Sequence, residues 1–399
     1  MRLLFVKRGY APIGGSESLC FQFATRLAAR GHDVRVVCAW PSEREHAKWQ
    51  LEHDDERAYD DHRVFTHRGV EVVQVKPKGG LLGLAADATT LVDLMRGEVL
   101  ERYAADRDLI HNVGREYLGS AIDVASELDV PLVLTPLAHP GQFHGGDAPS
   151  DVTRYRRASA ITTMTEWERQ WYLAHAIEPS RVFVTGMGPN VTRSTGGAAF
   201  RAAHRIPPTA PLVLYIGRKE RYKGYIQLLD AAESVWRRHV DARFVFIGID
   251  GFYSTFFDDF ARYRDERIID IECATADLKA AALDACDVFA MPSRHETFGL
   301  GYLEAWAHER PVIGGDIPPL REVIDHMSDG ILVRQRADEV ARAIVRLLDD
   351  PELRSAMGRA GRSKVARRWD WDAVIDRLAL AYQAAAATPE TLEAAAALA

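Results

Sequence analysis

One feature constrains this chain more than any other: short apolar runs alternate with longer stretches whose apolar residues recur at helical spacing. Leu3-Leu4-Phe5-Val6 is followed by Glu17 to Arg30, where Leu19, Phe23 and Leu27 fall on one helical face. Gly31 stops that helix, and Val34-Arg35-Val36-Val37 opens the next run. A short run with almost no polar residue must be covered on both faces, as a strand of a parallel sheet is covered by helices. Further strands are predicted at Val70 to Val75, Leu109 to His111, Pro131 to Thr135, Ala160 to Met164 and Val182 to Thr185.

Residues 186–211 break the alternation with Gly186, Gly188, Pro189, Gly196, Gly197, Pro207, Pro208 and Pro211, and read as a linker. The pattern then restarts with Leu212 to Ile216 and a helix from about Lys223. Strands are predicted at Arg243 to Ile247, Ile268 to Ile271, Asp287 to Met291, Val312 to Gly315 and Ile331 to Val333, with helices over 336–349 and 351–368. The expected fold class is α/β, with two Rossmann-like, doubly wound domains, and 399 residues suit that number. Two stretches fit less well. Ser42 to Arg63 is dense in acidic residues and reads as a solvated loop or helix, and Ala384 to Ala399 as a fraying helix.

Charge and cysteine usage exclude several classes. Fifty basic residues against 57 acidic ones give a net charge of −7, whereas a dedicated nucleic-acid binder carries a positive excess. Cys20, Cys38, Cys273 and Cys286 form no CxxC pair, and no His/Cys cluster has zinc spacing. They read as buried thiols of a cytoplasmic protein, with no metal site. The first apolar run ends at Lys7-Arg8, too short for a signal peptide, and no run approaches the roughly 18 residues of a membrane span.

Paired α/β domains commonly bind nucleotides, but the first turn, Tyr10 to Glu17, lacks GxGxxG, and no GxxxxGK[ST] loop occurs. The strongest constellation is Pro292-Ser293-Arg294-His295-Glu296-Thr297-Phe298-Gly299-Leu300-Gly301-Tyr302-Leu303-Glu304-Ala305. Gly299 and Gly301 bracket a helix start whose amides and dipole suit a diphosphate. Glu304, about one turn inside, suits the vicinal hydroxyls of a ribose, and Glu296 suits hydroxyls of a second sugar. A lone glutamate at a helix start is more often a surface residue. The second cluster, Gly217-Arg218-Lys219-Glu220-Arg221-Tyr222-Lys223-Gly224, follows a strand, facing the crevice where open α/β sheets bind ligands. Arg218 can grip phosphate oxygens in pairs and Lys223 adds a point charge. Alone, such a turn is usually a solvated loop.

Together these residues resemble the retaining glycosyltransferases of the GT-B fold, and within them the large GT4 family. Glu296 to Glu304 resembles E-x-F-G-L-x-x-x-E-A, and Arg218 with Lys223-Gly224 resembles G-R-x-x-x-x-K-G. Gly14-Gly15-Ser16-Glu17 is similar to the family's amino-terminal glycine turn. Tyr155 to Ile161, Pro311-Val312-Ile313 with Glu322, and Asp370-Trp371-Asp372 extend the likeness over nearly the whole chain.

The resemblance implies two domains facing an interdomain cleft. Residues 1–190 would bind the acceptor, helped by a crossover helix over 370–387, and 191–369 the donor. It implies that Glu304 holds the donor ribose, that Phe298, Gly299 and Leu300 offer backbone amides, and that Gly15 lets the chain approach the donor phosphates or the acceptor. Gly14 and Ser16 would touch the acceptor. Arg218 and Lys223 would stabilise the departing diphosphate, and Glu296 would contact donor-sugar hydroxyls. His139, in Ala138-His139-Pro140, resembles the active-site histidine of several members; a lone histidine after a strand is more often structural, and His144 and His295 are substitutes. The implied activity is hexosyl transfer from a nucleotide-diphosphate sugar to an unidentified hydroxyl acceptor, with no cofactor or metal. Contact with a membrane surface is expected only for a lipid-linked acceptor.

Two departures stand out. Glu309 occupies the usual glycine position before Pro311-Val312-Ile313, so that turn should differ, and Pro189-Asn190-Val191-Thr192 replaces the usual linker sequence. Trp167 and Trp171 read as packing residues, Arg154, Arg156 and Arg157 as solvated, and Asp258-Asp259 as no metal motif. An epimerase or phosphorylase of the same fold, or a non-catalytic nucleotide-sugar-binding subunit, are the rival readings.

Overall fold

Of the apolar runs predicted above, every one is a strand in the computed structural model, which describes residues 1–41, 51, 54–76, 97–142, 145–190, 195–250, 259–272 and 275–387. Residues 42–50, Gly79 to Thr90, His144, Val191-Thr192, Asp258, Cys273 and the end of the chain after residue 387 lie outside these. The chain divides into two compact units, one of Met1–Gly186 with the chain from Asp372, the other Met187–Trp371.

The first unit holds a nine-stranded sheet in the order β3-β4-β5-β2-β1-β6-β7-β8-β9. Its strands are β1 (Arg2–Lys7), β2 (Asp33–Ala39), β3 (Asp54–Ala58), β4 (His62–His67), β5 (Val70–Val75), β6 (Leu109–Val113), β7 (Leu132–Thr135), β8 (Ala160–Thr163) and β9 (Val182–Val184). All neighbours are parallel except the β3-β4 and β4-β5 pairs. Helices α1 (Ser16–Ala29), α2 (Gly97–Ala104), α3 (Leu118–Glu127), α4 (Pro149–Tyr155) and α5 (Glu166–Ala174) connect them.

The second unit holds a six-stranded, wholly parallel sheet in the order β12-β11-β10-β13-β14-β15. These are β10 (Leu212–Ile216), β11 (Arg243–Ile247), β12 (Ile268–Ile271), β13 (Val288–Met291), β14 (Val312–Gly315) and β15 (Gly330–Val333). Its helices are α6 (Gly197–Ala203), α7 (Tyr225–Trp236), α8 (Ala276–Ala285), α9 (Leu300–Ala307), α10 (Pro318–Val323), α11 (Ala337–Asp349) and α12 (Pro351–Arg368). The final helix, α13 (Trp371–Ala386), returns to the first unit.

Each sheet has one place where the connections leave in opposite directions, between β1 and β6 in one unit and between β10 and β13 in the other. Open α/β sheets bind ligands outside the carboxyl ends of the strands at such a point.

Two expectations need correction. The acidic stretch before Arg63 is neither loop nor helix at Asp54–Ala58, which forms an antiparallel edge strand; the edge leaves both faces open to water, so charged residues are tolerated there. The presumed linker contains α6, packed on α8, with Gly197 N donating to Asp284 Oδ2 at 2.8 Å. Glu309 takes the left-handed φ of 57° that glycine favours, at a cost of about 1 kcal/mol. The Cβ that Gly358 lacks would sit 1.9 Å from the Glu309 carbonyl, so packing fixes that turn, and Arg362 pairs with the Glu309 carboxylate at 2.5 Å.

Cys20, Cys38 and Cys286 are buried and free, and burial pushes the Cys38 and Cys286 thiols up to about 12, which keeps them protonated. Trp171 packs edge-on against Tyr172, and Arg154, Arg156 and Arg157 are exposed, as expected. Asp259 is buried against the Tyr225 hydroxyl at 2.5 Å.

α13 is held to the first sheet by a buried histidine. His111 in β6 engages the Tyr382 hydroxyl at 2.8 Å through Nδ1 and the Thr135 hydroxyl at 2.7 Å through Nε2. Burial lowers its pKa to about 3, so the folded unit refuses a proton that the unfolded chain accepts. Stability from this group is therefore complete above its ordinary value and lost as pH falls toward 3. The expected loss is about 1.4 kcal/mol per pH unit below about 6.5. Urea unfolding of wild type and His111→Gln across pH 7 to 4.5 should show the wild-type slope steeper by one proton; equal slopes would remove His111 from the linkage.

Candidate functional site

The turns after β10 and β13 are stitched together at the switch point of the second unit. The first turn closes with Arg221–Lys223 as one 3-10 turn ending on Gly224, at φ 84°. A Cβ on Gly224 would lie 2.5 Å from the Pro292 carbonyl, so glycine there lets the two turns touch. Arg294 N donates to the Tyr222 carbonyl at 2.9 Å, and Gln335 Nε2 donates to the Tyr222 and Pro292 carbonyls at 2.8 and 2.9 Å. Within the turn the Tyr215 hydroxyl donates to the Arg218 carbonyl at 2.7 Å.

This stitching brings the predicted charges together. Lys223 Nζ pairs with Glu296 Oε1, and the Ser293 hydroxyl lies 3.3 Å from the same oxygen. Both side chains are largely buried. Lys223 is thus committed to Glu296 instead of standing as an independent point charge, as the sequence suggested. The exposed Arg218 reaches the Tyr222 hydroxyl at 3.4 Å. Phe298 packs edge-on against Trp369, and Gly299, at φ 86°, caps α9. Leu300 opens that helix, directing its amino end and positive dipole toward this turn.

Glu304 is 1% exposed, and Lys279 of α8 straddles its carboxylate at 2.6 and 2.5 Å. A buried carboxylate is tolerated only with such a partner. Sequence reasoning missed Lys279, because one lysine in Ala276-Asp277-Leu278-Lys279-Ala280-Ala281 reads as a solvated helix residue. Lys219, quoted in the basic turn without a role, is buried: it pairs with Asp270 at 2.5 Å and lies 5.3 Å from the Phe260 ring centre. It ties the turn to β12 and presents no charge to a ligand. His295 lies near the Tyr222 ring, with its pKa lowered by burial and by Arg294.

In the first unit, Gly14, Gly15 and Ser16 form the turn into α1. The left-handed backbone is at Gly14, φ 104°; Gly15 caps the helix with open space where its Cβ would be. The Ser16 hydroxyl donates to Glu17 Oε2 at 3.2 Å. His139 follows β7 in a tight loop, its N donating to the Gly145 carbonyl at 2.7 Å while its own carbonyl accepts from Gln142 N at 3.0 Å. The second unit therefore brings Arg218, Lys223, Glu296, Phe298, Gly299, Leu300 and Glu304 to one end of its sheet; His139, Gly14, Gly15 and Ser16 belong to the other unit. Among the described residues, no group of three or more His, Cys, Asp or Glu side chains could hold a metal ion.

The family model for glycosyl transferases group 1 matches residues 198–364, and that for a glycosyl transferase 4-like domain matches 14–188. Glycogen synthase of Mycobacterium tuberculosis is 28% identical over 409 aligned positions, covering 96% of this chain and 95% of that protein. D-inositol 3-phosphate glycosyltransferase of Kineococcus radiotolerans is 28% identical, covering 94% and 92%. The crystal structure of HepE from Anabaena in complex with UDP and glucose matches with a TM-score of 0.76 at 18% identity, over 95% of this chain and 98% of that one. Sucrose-phosphate synthase from Thermosynechococcus elongatus gives 0.76 at 18%, over 96% and 98%.

The Lys279–Glu304 pair yields a prediction about stability. Lys279→Met leaves a buried carboxylate uncompensated and should cost about 3 kcal/mol. Adding Glu304→Gln should recover most of that loss. Denaturant unfolding of both variants tests this; a Lys279→Met protein as stable as wild type would mean the pair is not needed to bury Glu304.

Proposed function

The chain belongs to the group 1 glycosyltransferases and has the GT-B fold, and from that premise we propose that it transfers a sugar from a nucleotide diphosphate to an acceptor hydroxyl with retention of anomeric configuration. The observation that carries this reading is the convergence of Arg218, the Lys223–Glu296 pair, the amino end of α9 and Glu304 at one switch point.

Each part has a role set by its chemistry. Glu304, held by Lys279, accepts hydrogen bonds from the ribose diol. The start of α9 and Arg218 hold the diphosphate, where the backbone dipole and the paired donors of a guanidinium suit phosphate oxygens. Lys223 keeps the buried Glu296 compensated and turns its remaining protons to the diphosphate, while Glu296 accepts hydroxyls of the sugar. The bond from the anomeric carbon to the diphosphate oxygen breaks, and the negative charge gathers on that oxygen beside Arg218 and Lys223. This stabilisation is electrostatic and preorganised. The acceptor oxygen bonds to the anomeric carbon on the face the diphosphate leaves, and its proton passes to the departing phosphate. His139 and the Gly14-Gly15-Ser16 turn belong, in this reading, to the sugar and acceptor side. HepE was solved with UDP and UDP-glucose, and a uridine diphosphate is therefore the first nucleotide to try.

Among the described residues no helix is long and apolar enough to cross a membrane. The free, buried thiols of Cys20, Cys38 and Cys286 support a reaction in the cytoplasm.

Calorimetric titration with UDP, GDP, ADP and dTDP, each in EDTA, tests the donor site. One nucleotide should bind saturably, and Glu304→Ala should abolish that binding. Arg218→Ala should lower turnover with the matching sugar nucleotide about 100- to 1000-fold, the usual effect of removing one donor to a developing charge. Full turnover in Arg218→Ala would overturn the role given to the guanidinium.

A further inference from the structure

The helix start after β8 carries a buried glutamate that the donor site does not use. Thr165-Glu166-Trp167-Glu168 has the spacing of a capping pair, in which a threonine and a glutamate serve the first amides of a helix. The threonine does so: Glu168 N donates to Thr165 Oγ1 at 3.2 Å at the start of α5. The glutamate reaches elsewhere. Its Oε2 accepts from Met164 N at 2.8 Å, just past β8, and the Ala138 amide donates to the same carboxyl group. Glu168 is 1% exposed, and its Oε1 has no hydrogen-bond partner among the described residues.

The segment it grips is strained. Leu137, between β7 and Ala138, has a left-handed φ of 55°, unfavourable for any residue with a Cβ. Such strain persists only where the surroundings impose it, and it gathers at functional sites. Beyond it, His139 N closes the loop on the Gly145 carbonyl at 2.7 Å, and the Tyr155 hydroxyl of α4 donates to the Gly146 carbonyl at 2.9 Å. Tyr155 packs edge-on against Tyr172, one turn along α5 from Glu168. Helix α5 thus supports both ends of the loop that carries His139.

We propose that Glu168 is a positioning residue: by tying the Ala138 amide to the end of β8, its carboxyl group holds the left-handed step at Leu137 and so fixes where His139 stands. This rests on the reading of His139 as a group of the sugar and acceptor side. The chemistry of the carboxyl group suits a tie. Burial pushes Glu168 up to about 8 and no cation offsets this, so at neutral pH it is mostly a neutral acid. It accepts the two amides without the cost of an isolated buried charge. The other titratable groups acting on this cluster are Tyr155 and Tyr172, both raised by burial, with Arg115, Asp147 and Asp151.

Hydrogen exchange of the full chain, read by mass spectrometry at the Ala138 amide, tests the tie. Glu168→Leu should speed that exchange about tenfold or more, the effect of leaving a buried amide unsatisfied. Glu168→Gln, which keeps an accepting oxygen, should stay within about threefold of wild type. A second measurement needs no leucine variant. The folded value of Glu168 lies above its ordinary one, so opening the loop releases a proton and protection is greatest at low pH. Wild-type protection should fall by up to about tenfold per unit from about pH 5 to 7.5, while Glu168→Gln stays level. Turnover of the matching sugar nucleotide reads the consequence: Glu168→Leu should lower kcat about 10- to 100-fold with nucleotide affinity unchanged, and should add nothing to His139→Ala. The proposal is overturned if Ala138 exchanges alike in wild type and Glu168→Leu, if wild type and Glu168→Gln share one pH profile, or if the effects of Glu168→Leu and His139→Ala multiply. Full turnover in His139→Ala, or none in wild type, would sink the reading on which the positioning role rests, while the exchange results would still decide the tie.

Discussion

Parallel strands finish at the same edge of their sheet, and everything chemical in this protein depends on that constraint. In the second unit β10 and β13 are neighbours although 71 residues separate their last and first positions, Ile216 and Val288. Their turns are therefore forced side by side, and Gly224 against Pro292 is the contact that closes the gap. Residues far apart in the chain acquire their chemistry only because two crossovers return to the same edge. The helix that follows, α9, points its amino end at that edge for the same reason.

The second theme is how the chain buries charge. Lys7 with Glu116, Lys219 with Asp270, Lys223 with Glu296, Lys279 with Glu304, and Lys364 with Asp329 are all lysine–carboxylate pairs with at least one largely buried member. Breaking such a pair leaves an uncompensated charge, which costs more than the pair contributes. The pairs nevertheless differ in what surrounds them. Lys364 lies 4.9 and 5.9 Å from the ring centres of Trp306 and Trp369, which stack on each other, and so serves packing. Lys219 beside Phe260 does the same for the β10 turn. The Lys223–Glu296 pair instead lies at a switch point, the place where open α/β sheets bind ligands.

Much of this was legible in order. The parallel strands were readable because they are covered on both faces and therefore read as apolar runs. The positions of Arg218, Lys223, Glu296 and Glu304 were readable because each stands at a fixed distance from a strand end or helix start. Lys279 was not, since its significance lies in α8 meeting α9, which no local pattern reports. The edge strand Asp54–Ala58 was missed because its charged residues, all exposed, carry no apolar alternation. At Glu309, packing of Gly358 on its carbonyl holds a left-handed backbone on a residue that does not favour it, a contact no local pattern reports.

By itself, then, the sequence determined the two α/β units, the order of their parallel strands, the family, and which charged residues follow which strands. Periodicity and spacing are local properties, and they survive without knowledge of what a residue touches. Only the tertiary structure decided that Lys223 is bound to Glu296, that Lys279 guards Glu304, that Lys219 is buried, and that Lys7 meets Glu116. Partnership between side chains depends on which strands become neighbours, and in a doubly wound sheet strand order differs from chain order.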